Sequence, residues 1–207
     1  TSLSGVSYDS RAAQKGDLFV AIKGFEADGH RFIPKAAENG AVVVLCEKKP
    51  EIDIPYVLVS DSRYGLAIVS RDFFGNPAAE MKMIGITGTS GKTSSSYLIK
   101  HMLESKLDAK VGLIGTNGNM IGDEFLHTEH TTPESYELHK LFRHMADSGC
   151  THVVMAADRG ETYTVGGEAD VLCDEVGFVL LSRKCHRAAG CAVAHEGRPC
   201  ASYLIKH

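Results

Sequence analysis

The run Gly85-Ile86-Thr87-Gly88-Thr89-Ser90-Gly91-Lys92-Thr93 constrains the architecture of this chain more than any other stretch. An apolar lead, Met83 to Thr87, enters a glycine-rich turn that closes on Gly-Lys-Thr, and a helical pattern follows. Strand, loop and helix in that order make a phosphate-binding loop, whose successive backbone N–H groups face an anion at the helix N-terminus. Glycines at 85, 88 and 91 predict positive φ angles and close backbone approach. On this reading Gly88, Thr89, Ser90, Gly91, Lys92 and Thr93 contact a nucleotide. Lys92 brings a point charge to the β- and γ-phosphates, and the Thr93 hydroxyl is a ligand for Mg2+. The general motif has glycine at 86, where this chain has isoleucine, so the match is to a variant, Gly-x-x-Gly-x-x-Gly-Lys-Thr. The plain alternative is a strand-to-helix turn that holds no nucleotide.

Composition excludes several classes of partner. With 207 residues the chain has room for two small domains, each with a core. A hydrophobic share of 43%, a charged share of 23% and a net charge of −4 show no basic excess, so no nucleic-acid partner is expected. No apolar run approaches the roughly 20 residues of a membrane span, and the N-terminus has no signal-peptide pattern. A cytoplasmic location without membrane association is the expectation. Of six cysteines, Cys46 and Cys150 flank apolar strand-like runs and read as reduced and buried. Cys173, Cys185, Cys191 and Cys200 fall late in the chain. Together with His195 the last three lack the paired short spacings of structural zinc sites.

Short apolar runs at Ala41 to Leu45 and Tyr56 to Val59 predict strands, and Phe32 to Asn39 and Arg63 to Phe74 have helical spacing. Gly75-Asn76-Pro77 is a turn signal, and a domain boundary is placed near residue 80. After the loop, Leu98 with Met102, and likewise Ile99 with Leu103, are spaced for one face of a helix. A strand is predicted at Val111 to Ile114. Thr132 reads as a helix N-cap with Pro133 at the first helical position, and Leu138, Leu141, Phe142 and Met145 form the apolar stripe that ends at Gly149. A strand at Thr151 to Met155 follows. The fold class is therefore α/β: a small N-terminal α/β domain, then part of a doubly wound sheet, with ligands at the carboxyl ends of the strands.

Residues 156–207 do not continue this pattern. Only Val171 to Leu181 reads as a buried segment, and Ser202-Tyr203-Leu204-Ile205-Lys206-His207 repeats Ser96-Tyr97-Leu98-Ile99-Lys100-His101. The identity suggests a truncated, frame-shifted or chimeric reading frame; the alternative is a short C-terminal helix that reuses the sequence.

Several separate motifs converge on one family. Ser7-Tyr8-Asp9-Ser10-Arg11, Lys15-Gly16-Asp17-Leu18-Phe19-Val20-Ala21 and Ala27-Asp28-Gly29-His30 closely resemble the N-terminal domain of the Mur ligases. Thr87 to Thr93 resembles their ATP loop, with Ser90 where asparagine is usual. Gly112-Leu113-Ile114-Gly115-Thr116 and Thr131-Thr132-Pro133-Glu134-Ser135 resemble the branch that adds the third residue of the peptide. The resemblance implies an ATP- and Mg2+-dependent ligase of peptidoglycan precursors, joining UDP-N-acetylmuramoyl-L-alanyl-D-glutamate to a diamino acid through an acyl phosphate. By the same resemblance residues 1–80 bind the UDP-muramyl substrate and residues 81–155 are a partial ATP-binding domain, followed by the divergent tail. Ser10 and Phe25-Glu26-Ala27 would hold the uridine end, and Thr131 and Thr132 the sugar and phosphate region. His130 stands beside them where the family often has asparagine. Each has a plainer reading: Ser10 with Asp9 forms a turn, and Thr132 caps a helix. His30 and His130 alone read as ordinary hydrogen-bonded histidines.

The chain also departs from the pattern. Where the family continues after Met155 with a magnesium-binding glutamate, this chain has Ala156-Ala157-Asp158. Asp158 falls two positions late for the same place on a strand. The family's carbamylated lysine and C-terminal domain have no counterpart, and the start at Thr1 suggests missing upstream sequence. The expectation is an incomplete ligase whose strands around Met83, Val111 and Val153 expose an edge. Two alternatives stand beside it: a non-catalytic module that binds the UDP substrate or a nucleotide, and an unrelated P-loop phosphotransferase.

Overall fold

A computed structural model describes residues 3–24, 27–88, 90–115, 117–126, 134–156, 176–181 and 202–204, the last two segments as backbone. Phe25, Glu26, Thr89, His130, Thr131, Thr132, Asp158 and the four late cysteines lie outside the described residues. The chain separates into two compact units, Thr1–Gly75 and Asn76–His207.

In the first unit, β1 (Gly5–Ser7), β2 (Asp17–Val20), β3 (Val43–Cys46) and β4 (Tyr56–Leu58) form a parallel sheet in sequence order. Alternation of side chains across the pleat splits the apolar run of β2 between two faces. Phe19 and Ala21 join Val44 and Cys46 beneath α1 (Ile33–Glu38), whose Ile33 and Ala36 complete that core. The other helix, α2 (Ser62–Phe73), packs across β1, β2 and β3. It starts where Asp61, in extended conformation, accepts the N–H groups of Arg63 and Tyr64. Gly65 lets α2 approach the sheet, since a Cβ there would stand 2.8 Å from Leu45 Cδ2. Strands β1 and β2 are only three and four residues long, and sequence periodicity did not reveal them.

The second unit is built on a mixed sheet of order β11-β10-β5-β9-β6-β7-β8. Its parallel part comprises β5 (Lys82–Gly88), β6 (Val111–Gly115), β9 (His152–Ala156), β10 (Val176–Leu181) and β11 (Ser202–Leu204). The strands β7 (Gly118–Ile121) and β8 (Glu124–Leu126) extend it as an antiparallel meander. Helix α3 (Lys92–Leu107) covers the face of Ile86, Val111, Leu113 and Val154, while α4 (Ser135–Asp147) covers that of Met83, Val153 and Met155. A doubly wound arrangement results, with Phe142 and Met145 of α4 fully buried. Gly149, at φ +82°, ends α4 in a Schellman motif: its N–H reaches Ala146 O at 2.9 Å, and Cys150 N–H reaches Met145 O at 3.0 Å.

Four sequence expectations are corrected here. Helix α4 is capped at Glu134, whose backbone is extended (φ −69°, ψ 167°), so the first helical residue is Ser135 rather than the predicted Pro133. The two apolar pairs of α3 do not share a face: Ile99 and Leu103 pack on the sheet, whereas Leu98 and Met102 are exposed. In place of the exposed pair, α3 buries Ser96 and Lys100, the latter ion-paired to Glu104 at 2.7 Å. None of the strands at Met83, Val111 and Val153 is an edge, because β10 pairs with β5 and β7 with β6. Finally, Ser202–Leu204 is a strand, although the same three residues at 96–98 are helical.

Candidate functional site

The turn from β5 into α3 places the candidate nucleotide residues. Gly85 lies within β5, paired with Met155 on one side and Phe178 on the other, and Gly88 ends the strand opposite Leu181. Of the motif's glycines, Gly91 carries the left-handed turn, with φ +79° and ψ −1° at the N-cap of α3. Nothing lies within 4 Å of a Cβ built there, so conformation and not space selects glycine. The first helical bond runs from Ser95 N–H to Gly91 O at 2.9 Å, and buried Ser96 donates its hydroxyl to Thr93 O at 2.8 Å. Ser90 and Gly91 are exposed and Lys92 and Thr93 half-buried, and the first turn has no carboxylate. A sixteen-residue helix that starts this way directs the positive end of its dipole toward the carboxyl edge of the sheet.

Magnesium can be tested against the side chains at this edge. Ala156 ends β9 in register with Ile86, two residues before the end of β5, so a methyl group stands at the place where the resemblance leads one to expect a carboxylate. Among the described residues no three His, Cys, Asp or Glu side chains gather to hold a metal. Mg2+ is usually held by one or two carboxylates together with phosphate oxygens and water. Among the described residues, Thr93 is joined at this edge by no group of three such side chains.

In the first unit, Ser10 and Ala27 follow the carboxyl ends of the neighbouring strands β1 and β2. Ser10 is buried in a turn closed by Ala12 N–H to Asp9 O at 3.0 Å and by Arg11 N–H to Asp9 Oδ1 at 2.9 Å. This turn is the plainer of the two readings of Ser10. The Arg11 guanidinium hydrogen-bonds the Asp9 carboxylate, at 2.7 Å for the shortest contact, and holds its pKa below the ordinary carboxylate value. Asn39, at the C-cap of α1, donates its amide to Ser10 O at 2.7 Å, a tie across 29 residues that no local motif announces. Ala27 is exposed and accepts the Gly24 N–H at 3.0 Å.

Burial raises the thiol pKa of Cys46 and Cys150, which keeps both protonated and fits their place in the two cores. Among the described residues no helix is long and apolar enough to cross a membrane.

Comparison with known proteins gives this geometry a lineage. Residues 2–90 match the family described as "Mur ligase family, catalytic domain", and residues 86–164 the "Mur ligase middle domain". The UDP-N-acetylmuramoyl-L-alanyl-D-glutamate–2,6-diaminopimelate ligase of Clostridium botulinum is 47% identical over 164 residues, covering 76% of this chain and 34% of that protein. The enzyme of the same name from Bacillus velezensis is 42% identical over 153 residues, covering 74% and 31%. This chain therefore spans about a third of the length of the curated relatives it matches. A solved structure of a 2,6-diaminopimelate ligase of that name superposes with a TM-score of 0.73 at 26% identity, over 86% of this chain and 36% of that one. The MurF ligase of Thermotoga maritima, solved in complex with ADP, gives 0.57 at 26% identity, over 86% and 37%. Matched to Mur ligase descriptions over residues 2–90 and 86–164, the chain belongs to the Mur ligase family.

Proposed function

We propose that this chain carries the substrate-recognition and ATP-binding parts of a cytoplasmic ligase of peptidoglycan precursor synthesis, one that adds 2,6-diaminopimelate to UDP-N-acetylmuramoyl-L-alanyl-D-glutamate. The carrying observation is the left-handed Gly91 that turns β5 into α3 at the carboxyl edge of the sheet. The names of its relatives support the choice of substrates. On this reading Gly88 to Thr93 cradle ATP, Lys92 neutralises its β- and γ-phosphates, and Thr93 meets magnesium that arrives with the nucleotide. Ser10 and Phe25 to Ala27, in residues 1–80, hold the uridine end; His130, Thr131 and Thr132, in residues 81–155, hold the sugar and phosphate region.

The chemistry asks for positioning above all. A carboxylate is a poor electrophile, so the γ-phosphoryl group passes to the glutamate carboxylate, ADP leaves, and the amine displaces phosphate from the acyl phosphate. Backbone N–H groups and a lysine fixed at a helix N-terminus lower the cost of charge development at the transferred group.

A second reading is favoured by Ala156: a module that binds both ligands without turnover. Hydroxylamine trapping separates the two. Incubated with ATP, Mg2+ and the UDP-muramyl dipeptide, a catalytic chain yields the glutamyl hydroxamate and ADP. Binding of both ligands without hydroxamate identifies the module, and Ala156→Glu is then expected to raise affinity for Mg2+·ATP over metal-free ATP. Failure to bind either ligand refutes both readings.

A further inference from the structure

A polar cluster at the carboxyl edge of the four-stranded sheet is used by none of the roles assigned above. Asp28 caps the 3-10 turn Gly29–Phe32, and its Oδ1 accepts both the His30 N–H at 3.1 Å and His30 Nδ1–H at 2.6 Å. The other ring nitrogen, Nε2, accepts the Glu47 N–H at 2.8 Å, one residue beyond β3. Glu47 continues the chain of bonds: its Oε1 accepts Ser62 N–H at 3.0 Å and the Ser62 hydroxyl at 2.9 Å, at the first residue of α2. Lys48 Nζ stands 3.6 Å from Asp28 Oδ2.

This geometry fixes where the ring proton sits. A backbone N–H only donates, so Nε2 must offer its lone pair and the proton must lie on Nδ1, where the Asp28 carboxylate accepts it. Flipping the ring would put carbon at both places and lose both bonds. His30 is thus a two-ended strut, with its side chain only 12% exposed. One end holds Asp28, which follows Ala27 and whose backbone bridges to Lys23; the other holds Glu47 at the end of β3. Backbone bonds from Gly24 to Ala27 and from Gly29 to Ile22 do not involve the ring, so they would persist without it while the tie from Asp28 to the end of β3 was lost.

We infer that His30, as the Nδ1-protonated tautomer, is a positioning residue that ties Asp28, its bridge to Lys23 and the neighbouring Ala27 to the end of β3 for recognition of the uridine end of the substrate, an inference that rests on the function proposed above. The test uses the full chain, with UDP-N-acetylmuramoyl-L-alanyl-D-glutamate as the calorimetric probe. His30→Ala, His30→Asn and Ser10→Ala are compared by titration and thermal melting, and the His30 ring nitrogens are read by 15N NMR. The expected spectrum shows a protonated Nδ1 and a bare Nε2. His30→Ala is expected to weaken binding about tenfold, equivalent to about 1.4 kcal/mol, with titrations run well below its melt, which falls because the Glu47 N–H loses its acceptor. His30→Asn, which keeps a donor toward Asp28, recovers part of the loss. A proton on Nε2 overturns the inference, and so does unchanged affinity in His30→Ala when Ser10→Ala binds weakly. If His30→Ala fails to fold, the His30→Asn titration and the ring spectrum decide. No binding by the unsubstituted chain overturns the uridine-end reading and the role built on it, whereas a failure confined to the histidine variants overturns the role alone.

Discussion

Gly91→Ala isolates the backbone conformation on which the nucleotide site depends. No atom lies within 4 Å of the new Cβ, so the substitution has no steric cost from neighbours. What remains is the left-handed φ of +79°, which costs a non-glycine residue roughly 1–2 kcal/mol. Against this, alanine restricts the unfolded chain and returns about 0.4–1 kcal/mol where its native conformation is compatible. The strain term wins, and a net loss of about 1 kcal/mol is expected, concentrated at the start of α3. Gly91→Asn, which tolerates the left-handed region better, should lose less. Hydrogen exchange at the Ser95 amide, bonded to Gly91 O at 2.9 Å, reports this directly. Exchange there should quicken about fivefold in the alanine variant while amides of the first unit are unaffected. ATP affinity should fall further than that, because reorienting the turn also reorients the N–H groups aimed at the phosphates. Slower or unchanged exchange would refute the reasoning, since alanine at negative φ would stabilise the turn.

Two further outcomes follow from packing and charge. Leu98→Glu, on the exposed face of α3, should change stability by no more than about 0.5 kcal/mol, whereas Leu103→Glu, packed on the sheet, should cost about 2 kcal/mol or more by urea denaturation. The Arg143 guanidinium, 2.6 Å from Glu80 Oε1, holds the Glu80 pKa below its ordinary value. A lowered carboxylate pKa gives stability that is present above the unfolded-state value and lost as pH falls through the folded-state value. Glu80→Gln should therefore lower the thermal midpoint at neutral pH, with the difference from the unsubstituted chain vanishing in acid.

Strand, loop and helix around Gly91 were legible because apolar periodicity, glycine spacing and the Gly-Lys-Thr ending all describe the same local geometry. The face of α3 was not. Leu98 with Met102 and Ile99 with Leu103 have the same four-residue spacing, and their directions differ by one residue's rotation about the helix. Which pair faces inward depends on Ser96 and Lys100, polar residues that hydropathy places outside but that a hydroxyl bond to Thr93 O and an ion pair to Glu104 allow inside. The cap of α4 was misplaced for a related reason. Thr132-Pro133 satisfies the sequence rule for a helix start, yet the backbone at Glu134 is extended and the helix begins at Ser135, where Ser135 and Leu138 become buried. Around Ser10 and His30, the Asp9 turn is local and readable. The bonds donated by Asn39 to Ser10 and by Glu47 to His30 span 29 and 17 residues and exist only once the parallel sheet has brought those segments together.

Calorimetric titration of ATP into the full chain and into its Lys92→Ala variant tests the central claim most directly. Saturable binding of one nucleotide, strongly weakened in the variant, is the predicted result. Binding that is absent, or equal in both proteins, would contradict a nucleotide site at the turn between β5 and α3.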